Sequence, residues 1–101
     1  MKKQPWTTED LGELCRAFGV LRTDAERAAF LRDLCTLAEL EAMCHRLAAA
    51  KLVDRGLPYA EVSEQVGGST TTVTRVSHWL RHGEGGYRIV LDRLDRLARK
   101  R

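Results

Sequence analysis

The sequence predicts an all-α fold, with six short helices in a single domain spanning residues 1–101. Apolar residues recur at intervals of three and four along most of the chain, which is the spacing of one helix face. No stretch alternates apolar and polar residues as a half-buried strand would. A length of 101 residues with 44% apolar content suffices for one modest core and is too short for two.

The first two helices are expected from their capping residues. Thr7 or Thr8 precedes an apolar stripe and can cap a helix that closes near Gly19. Thr23, with Glu26 three residues later, has the pattern of a capping box, in which each side chain accepts a hydrogen bond from the other residue's backbone N–H. A second helix is therefore predicted to begin at this pair.

The third helix opens with a second capping box, formed by Thr36 and Glu39. We expect this helix to run to Gly56, because glycine readily adopts the left-handed conformation that often follows a helix end. It carries the longest apolar stripe of the chain, with positions Leu37, Leu40, Met43 or Cys44, Leu47, and Lys51 or Leu52.

The last three helices follow from turn residues. Pro58 suits the first turn of a fourth helix, predicted over about residues 58–66 and ended by a glycine pair. Ser69 is a good N-cap for a fifth helix, predicted over about residues 69–81. The sequence HGEGG, residues 82–86, predicts a linker before a sixth helix.

Residues 58–81 have the plan of a helix-turn-helix, two short helices joined by a turn that contains glycine. In that plan the first helix crosses a DNA backbone, and the N-terminal end of the second, the recognition helix, enters the major groove. Short hydroxyl side chains can bond base edges and phosphates there without holding the helix away from the groove floor. A helical hairpin with a solvated threonine face is the alternative. The residues predicted to contact DNA are Ser69, Thr70, Thr71, Thr72, Thr74, Arg75 and His78.

Charge and composition narrow the classes of partner. Residues 1–50 hold seven basic and eight acidic residues, whereas residues 51–101 hold ten and six, so an anionic partner would be drawn to the second half. No apolar run is long enough for a signal peptide or a membrane span, and we expect a cytoplasmic protein with no membrane contact. The three cysteines, Cys15, Cys35 and Cys44, are expected to be reduced core residues.

Neither metal binding nor catalysis is expected. His78 and His82 stand four residues apart, a spacing that can chelate a metal, but no third ligand lies at a suitable spacing. Cys44 and His45 are adjacent, so they point in different directions on a helix and cannot pair as nucleophile and base. The prediction is a protein that is not an enzyme and holds no metal or other cofactor.

The segments TLAELEAMCHRL and GGSTTTVTRVSHWL resemble the tryptophan repressor family, and more closely its YerC/YecD branch. The resemblance covers roughly residues 10–97. It implies an all-helical, intertwined homodimer from which the helix-turn-helix units project. It also implies that Thr36, Arg46 and Arg75 occupy the positions that line the corepressor pocket of the family.

The chain departs from the family pattern where the ring of the ligand would sit. Val76 stands at a glycine position, and Trp79 stands at a small serine position. We expect these two side chains to fill the slot, so tryptophan is not expected as a corepressor and any small-molecule effector is unknown. The candidate ligand pocket therefore consists of Thr36, Arg46, Arg75, Val76 and Trp79.

The predicted function is that of a sequence-specific transcriptional regulator that binds double-stranded DNA. We expect a repressor that acts as a homodimer on a palindromic operator. The alternative is a protein-interaction module that retains the repressor fold without specific DNA binding.

Overall fold

The computed structural model describes residues 5–100, and these residues form six helices without a strand. The prediction of an all-α fold with six helices is confirmed. The helices are α1 (Glu9–Gly19), α2 (Asp24–Leu34), α3 (Leu37–Asp54), α4 (Tyr59–Val66), α5 (Thr70–His82) and α6 (Gly86–Arg99).

Contacts between residues divide the chain into two compact units, Met1–Leu40 and Glu41–Arg101. The first unit holds α1, α2 and the first turn of α3, and the second unit holds the rest of α3 with α4, α5 and α6. The single domain expected over residues 1–101 stays a prediction.

Capping side chains set the helix starts of the first unit. The Thr8 hydroxyl accepts a hydrogen bond from the Leu11 N–H at 3.1 Å and opens α1. The Thr23 hydroxyl accepts from the Glu26 N–H at 3.1 Å and opens α2. The Glu26 carboxylate accepts from the Arg22 N–H at 2.7 Å, one residue before the position that a full capping box would use.

The capping box before α3 is complete. The Thr36 N–H donates to the Glu39 carboxylate at 2.8 Å, and the Glu39 N–H donates to the Thr36 hydroxyl at 3.1 Å. The bond from the Thr36 backbone, and then the bond to its side chain, hold the pKa of Glu39 below its usual range. Both bonds satisfy N–H groups that the first turn of a helix leaves without a partner.

The prediction that the cysteines are core residues is wrong for the single chain. All three are free thiols, but Cys15 and Cys44 are exposed and Cys35 is half-buried. The cause is that their helices carry more apolar surface than one chain covers. In α1 no residue is buried, and in α3 burial is confined to Ala49, Ala50 and Val53.

Among residues 5–100, every buried core residue lies in the second unit. These residues come from four helices and pack as one cluster: Ala49, Ala50 and Val53 of α3, Val62 of α4, Val73 and Val76 of α5, and Leu91 of α6. Tyr59 and Ser77 add a hydroxyl–hydroxyl hydrogen bond between α4 and α5, which satisfies the buried Ser77 side chain.

Arg88 of α6 fixes the last helix to α3. Its guanidinium donates to both carboxylate oxygens of Asp54, at 2.7 and 2.9 Å, and to the Asp92 carboxylate at 3.0 Å. The hydrogen bonds from Arg88 hold the pKa of Asp54 below its usual range. A bidentate pair of this kind restricts the relative orientation of the two side chains as well as the distance between them.

Candidate nucleic-acid interface

The turn between α4 and α5 is closed by local bonds that position the start of α5. Gly67 follows α4 with φ at +82°, a left-handed conformation that glycine adopts without steric cost. The Ser63 hydroxyl donates to the Gly68 carbonyl across this turn. The Ser69 hydroxyl then accepts from the Thr72 N–H at 3.2 Å and caps α5. The first turn of α5 therefore has a defined position on α4.

The two faces of α5 divide as the helical spacing predicts. Val73 and Val76 are 1% and 3% exposed and lie in the core. Five of the residues predicted to contact DNA lie on the outer face of α5, and all five are exposed: Thr70, Thr71, Thr74, Arg75 and His78. Their contact with DNA stays a prediction.

The hydroxyl groups at the start of α5 differ in their availability. The Thr74 hydroxyl donates to the Thr70 carbonyl at 2.9 Å within the helix. The Thr72 and Ser69 hydroxyls lie 3.3 Å apart. Within residues 5–100, the hydroxyls of Thr70 and Thr71 have no hydrogen-bond partner, so both are available to a ligand.

The charged residues of α5 are all basic, Arg75 and Arg81. Arg75 has no hydrogen bond or ion pair to any residue in the described part of the chain. Two histidines extend the basic face, with the His78 and His82 rings 5.2 Å apart. No acidic residue occurs in α5, whereas α4 carries Glu61 and Glu64 and no Lys or Arg.

A cleft of about 610 Å³ lies on one side of α5 within the second unit. Four of the five predicted pocket residues line it: Arg46, Arg75, Val76 and Trp79. Thr36 lies in the first unit, where it caps α3. Trp79 is 57% exposed. Val76 and Trp79 both line the cleft, and the expectation that they exclude the ring of a ligand stays a prediction.

Sequence reasoning missed two polar residues that also line this cleft, His45 and Tyr87. His45 could have been found, because Ala42, His45, Arg46 and Ala49 repeat at the spacing of one helix face and all four line the cleft. No local pattern could have found Tyr87, because its position depends on how the chain returns after the linker.

Among residues 5–100, no group of three or more His, Cys, Asp or Glu side chains could hold a metal ion. Within the same residues, no helix has both the length and the apolar character needed to cross a bilayer.

The helix order, the glycine turn and the exposed start of α5 agree with a protein-family match that covers most of the chain. A family model described as Trp repressor protein matches residues 9–95. The chain belongs to the Trp repressor family. Its relatives include the uncharacterized protein YerC of Bacillus subtilis (strain 168), which is 31% identical over 86 residues, 85% of this chain and 83% of YerC.

Solved structures of Trp repressor-like proteins share this fold. A crystal structure of a candidate Trp repressor from Staphylococcus aureus is 35% identical with a TM-score of 0.83, over 88% of this chain and 89% of that chain. The structure of a TrpR-like protein from Eubacterium eligens ATCC 27750 is 32% identical with a TM-score of 0.83, over 87% of this chain and 91% of that chain.

Membership of the Trp repressor family settles two expectations. The match to YerC supports the YerC branch that the sequence resembles. The family is regulatory and DNA-binding, which confirms that the chain is not an enzyme. Trp repressor family proteins also bind DNA and act as dimers.

Proposed function

We propose that this protein is a sequence-specific transcriptional repressor that acts as a homodimer on a palindromic operator. The observation that carries the proposal is the exposed, acid-free start of α5, where the hydroxyls of Thr70 and Thr71 and the guanidinium of Arg75 have no partner among residues 5–100. Family membership supports the same activity. The cytoplasmic location expected from the sequence is part of this proposal.

Each group at the start of α5 has a role that its chemistry suits. Arg75 can donate two hydrogen bonds to the major-groove edge of guanine. Thr70 and Thr71 can bond base edges or phosphates with hydroxyls that no group in the described part of the chain engages. His78 extends the contact one turn further along α5. Ser69, Thr72 and Thr74 complete the surface that the helix would present to a duplex.

The homodimer is supported by apolar residues that a single chain leaves uncovered. Large exposed apolar side chains occur in both compact units, and a second copy of the chain would remove them from water. In a two-fold symmetric dimer the half-sites would lie about 34 Å apart, one turn of DNA. These side chains include Leu34 and Leu37 in the first unit, and Ile89, Val90, Leu94 and Leu97 in the second.

Operator binding by this dimer needs no tryptophan. Val76 is buried, and the indole of Trp79 stands at the wall of the cleft, where it reduces the room for a second indole. Calorimetry should detect no saturable heat with tryptophan or other indoles, and operator affinity should be unchanged by their addition. Saturable binding would contradict this part of the proposal.

Selection of duplexes from a random pool tests the DNA-binding activity. We expect enrichment of a palindrome, and Arg75→Ala should weaken binding to it by about 1–3 kcal/mol if Arg75 reads guanine. The matched control is Arg93→Ala, which removes an exposed cation of α6. Failure to enrich any sequence would overturn the proposal.

The second candidate function is a protein-interaction module without specific DNA binding. The acidic α4 favours it, because Glu61 and Glu64 would repel the phosphates that the first helix of a helix-turn-helix approaches. Gel shifts at two salt concentrations separate the two functions. Absence of duplex binding at low salt would favour the interaction module.

A further inference from the structure

A shallow groove of about 350 Å³ lies between α3 and the end of α4, and its lining is basic. Lys51 and Arg55, one turn apart near the end of α3, line it together with His45 and Gln65, and no carboxylate does. Both cations are exposed. Within residues 5–100, their side chains have no ion-pair or hydrogen-bond partner.

This basic groove adjoins the start of α5. His45 and Val66 line the groove and also line the larger cleft, which reaches Gly68 and Thr72. Through these shared residues the surface runs from Lys51 and Arg55, past the end of α4, to the first turn of the helix proposed to enter the major groove.

The carboxylates on the other side of the two cations are already paired. Lys51 and Arg55 also border a recess of about 230 Å³ that contains Asp54, Asp92 and Asp95. Asp54 and Asp92 bond Arg88, and Asp95 bonds Arg99 at 2.7 Å. These carboxylates have cations of their own, which leaves the charges of Lys51 and Arg55 available.

The charge of α4 explains why DNA would need these cations. The first helix of a helix-turn-helix crosses the phosphate backbone, but α4 supplies two carboxylates and no cation. Phosphates that flank the major groove beside the turn would therefore be neutralised from a neighbouring element. Along this surface, Lys51 of α3 and Arg55 just after it are the two cations nearest in the chain to α4.

We propose that Lys51 of α3 and Arg55, the residue just after α3, form a second DNA contact, a sequence-independent phosphate clamp beside the recognition helix. This inference rests on the proposed DNA-binding function. It predicts that α5 contacts the bases. Lys51 and Arg55 would contact the phosphates, a role that the first helix usually has in a helix-turn-helix.

The test is the salt dependence of duplex binding by the full-length protein. Lys51→Gln combined with Arg55→Gln should weaken binding to the selected palindrome and to a scrambled duplex by the same factor. It should also make the negative slope of log affinity against log salt less steep, by about 0.9 for each lost phosphate contact. Arg93→Gln, which removes one exposed cation of α6, should leave the slope unchanged. Lys51→Arg keeps the charge and should retain the wild-type slope.

The outcomes separate this inference from the proposed function. A wild-type protein that binds no duplex refutes the proposed function itself. A wild-type protein that binds, with a double variant whose slope equals that of the wild type, overturns the clamp alone, as does weakening confined to the palindrome. If circular dichroism shows that the double variant is unfolded, Lys51→Gln alone gives the same test with half the expected change in slope.

Discussion

The two compact units use similar helices in different ways. In the first unit, α1 and α2 have capped starts and apolar residues at helical spacing, yet neither helix buries a residue. In the second unit, α3 to α6 contribute seven residues to one buried cluster. Helical periodicity therefore shows which face of a helix is apolar, but it does not show which other surface covers that face. For the first unit, a second copy of the chain is the proposed cover.

The largest expected effect is the loss of stability when a charge is placed in the core of the second unit. Val62 is fully buried, and Val62→Asp would place an unpaired charge there, at a cost of about 4 kcal/mol or more. Ala60→Asp introduces the same charge at an exposed position of α4 and should have little effect. Urea unfolding followed by circular dichroism measures both. Equal stability of the two variants would show that α4 is not held by this core.

The next largest effect is a weaker dimer, and it tests whether a second copy of the chain covers the apolar residues of the first unit. Leu37 is 64% exposed in the single chain, and if a partner covers it, Leu37→Gln should weaken the dimer by about 2 kcal/mol per protomer. Asp33→Asn, at an exposed residue of α2, is the control. Sedimentation equilibrium gives the dissociation constants. A wild-type protein that is monomeric at micromolar concentrations would remove the proposed cover altogether.

A smaller effect is expected at the bond between α4 and α5. Tyr59→Phe leaves the buried Ser77 hydroxyl without its partner, which should cost about 1 kcal/mol. A double-mutant cycle with Ser77→Ala isolates the interaction, because removing both groups leaves no polar atom unsatisfied. Additive effects of the two single changes would show that the bond contributes nothing to stability.

The smallest effect concerns pH and the pairing of α6 with α3. Because Arg88 lowers the pKa of Asp54 in the folded chain, this pair contributes stability at pH values above the ordinary aspartate pKa of about 4. The contribution is lost as the pH falls through the lowered pKa. Asp54→Asn should therefore be less stable than wild type at pH 7, with a gap that narrows below pH 4. Urea midpoints at both pH values measure it, and a constant gap would exclude the linkage.

Local signals in the sequence predicted local structure well. The Thr36 and Glu39 capping box has both of its bonds, and Ser69 caps α5. The split of α5 into a buried and an exposed face also follows from spacing alone, as the burial of Val73 and Val76 confirms.

Features that depend on non-local contacts could not be predicted in the same way. Cys15 and Cys44 lie on apolar stripes, but their burial depends on which other surface covers the stripe. The cleft likewise includes Tyr87 from α6, which reaches it only through the packing of the second unit. Contact of α5 with DNA is non-local in the same sense, since it depends on a second molecule.

Trp79, half-exposed at the wall of the cleft, can serve as an intrinsic fluorescent probe. The sequence contains two tryptophans, so Trp6→Phe would leave a single indole fluorophore on the recognition helix itself. Its emission would shift to the blue if a ligand or a second chain displaced water from the ring. Events at this surface could then be followed in real time without an added dye.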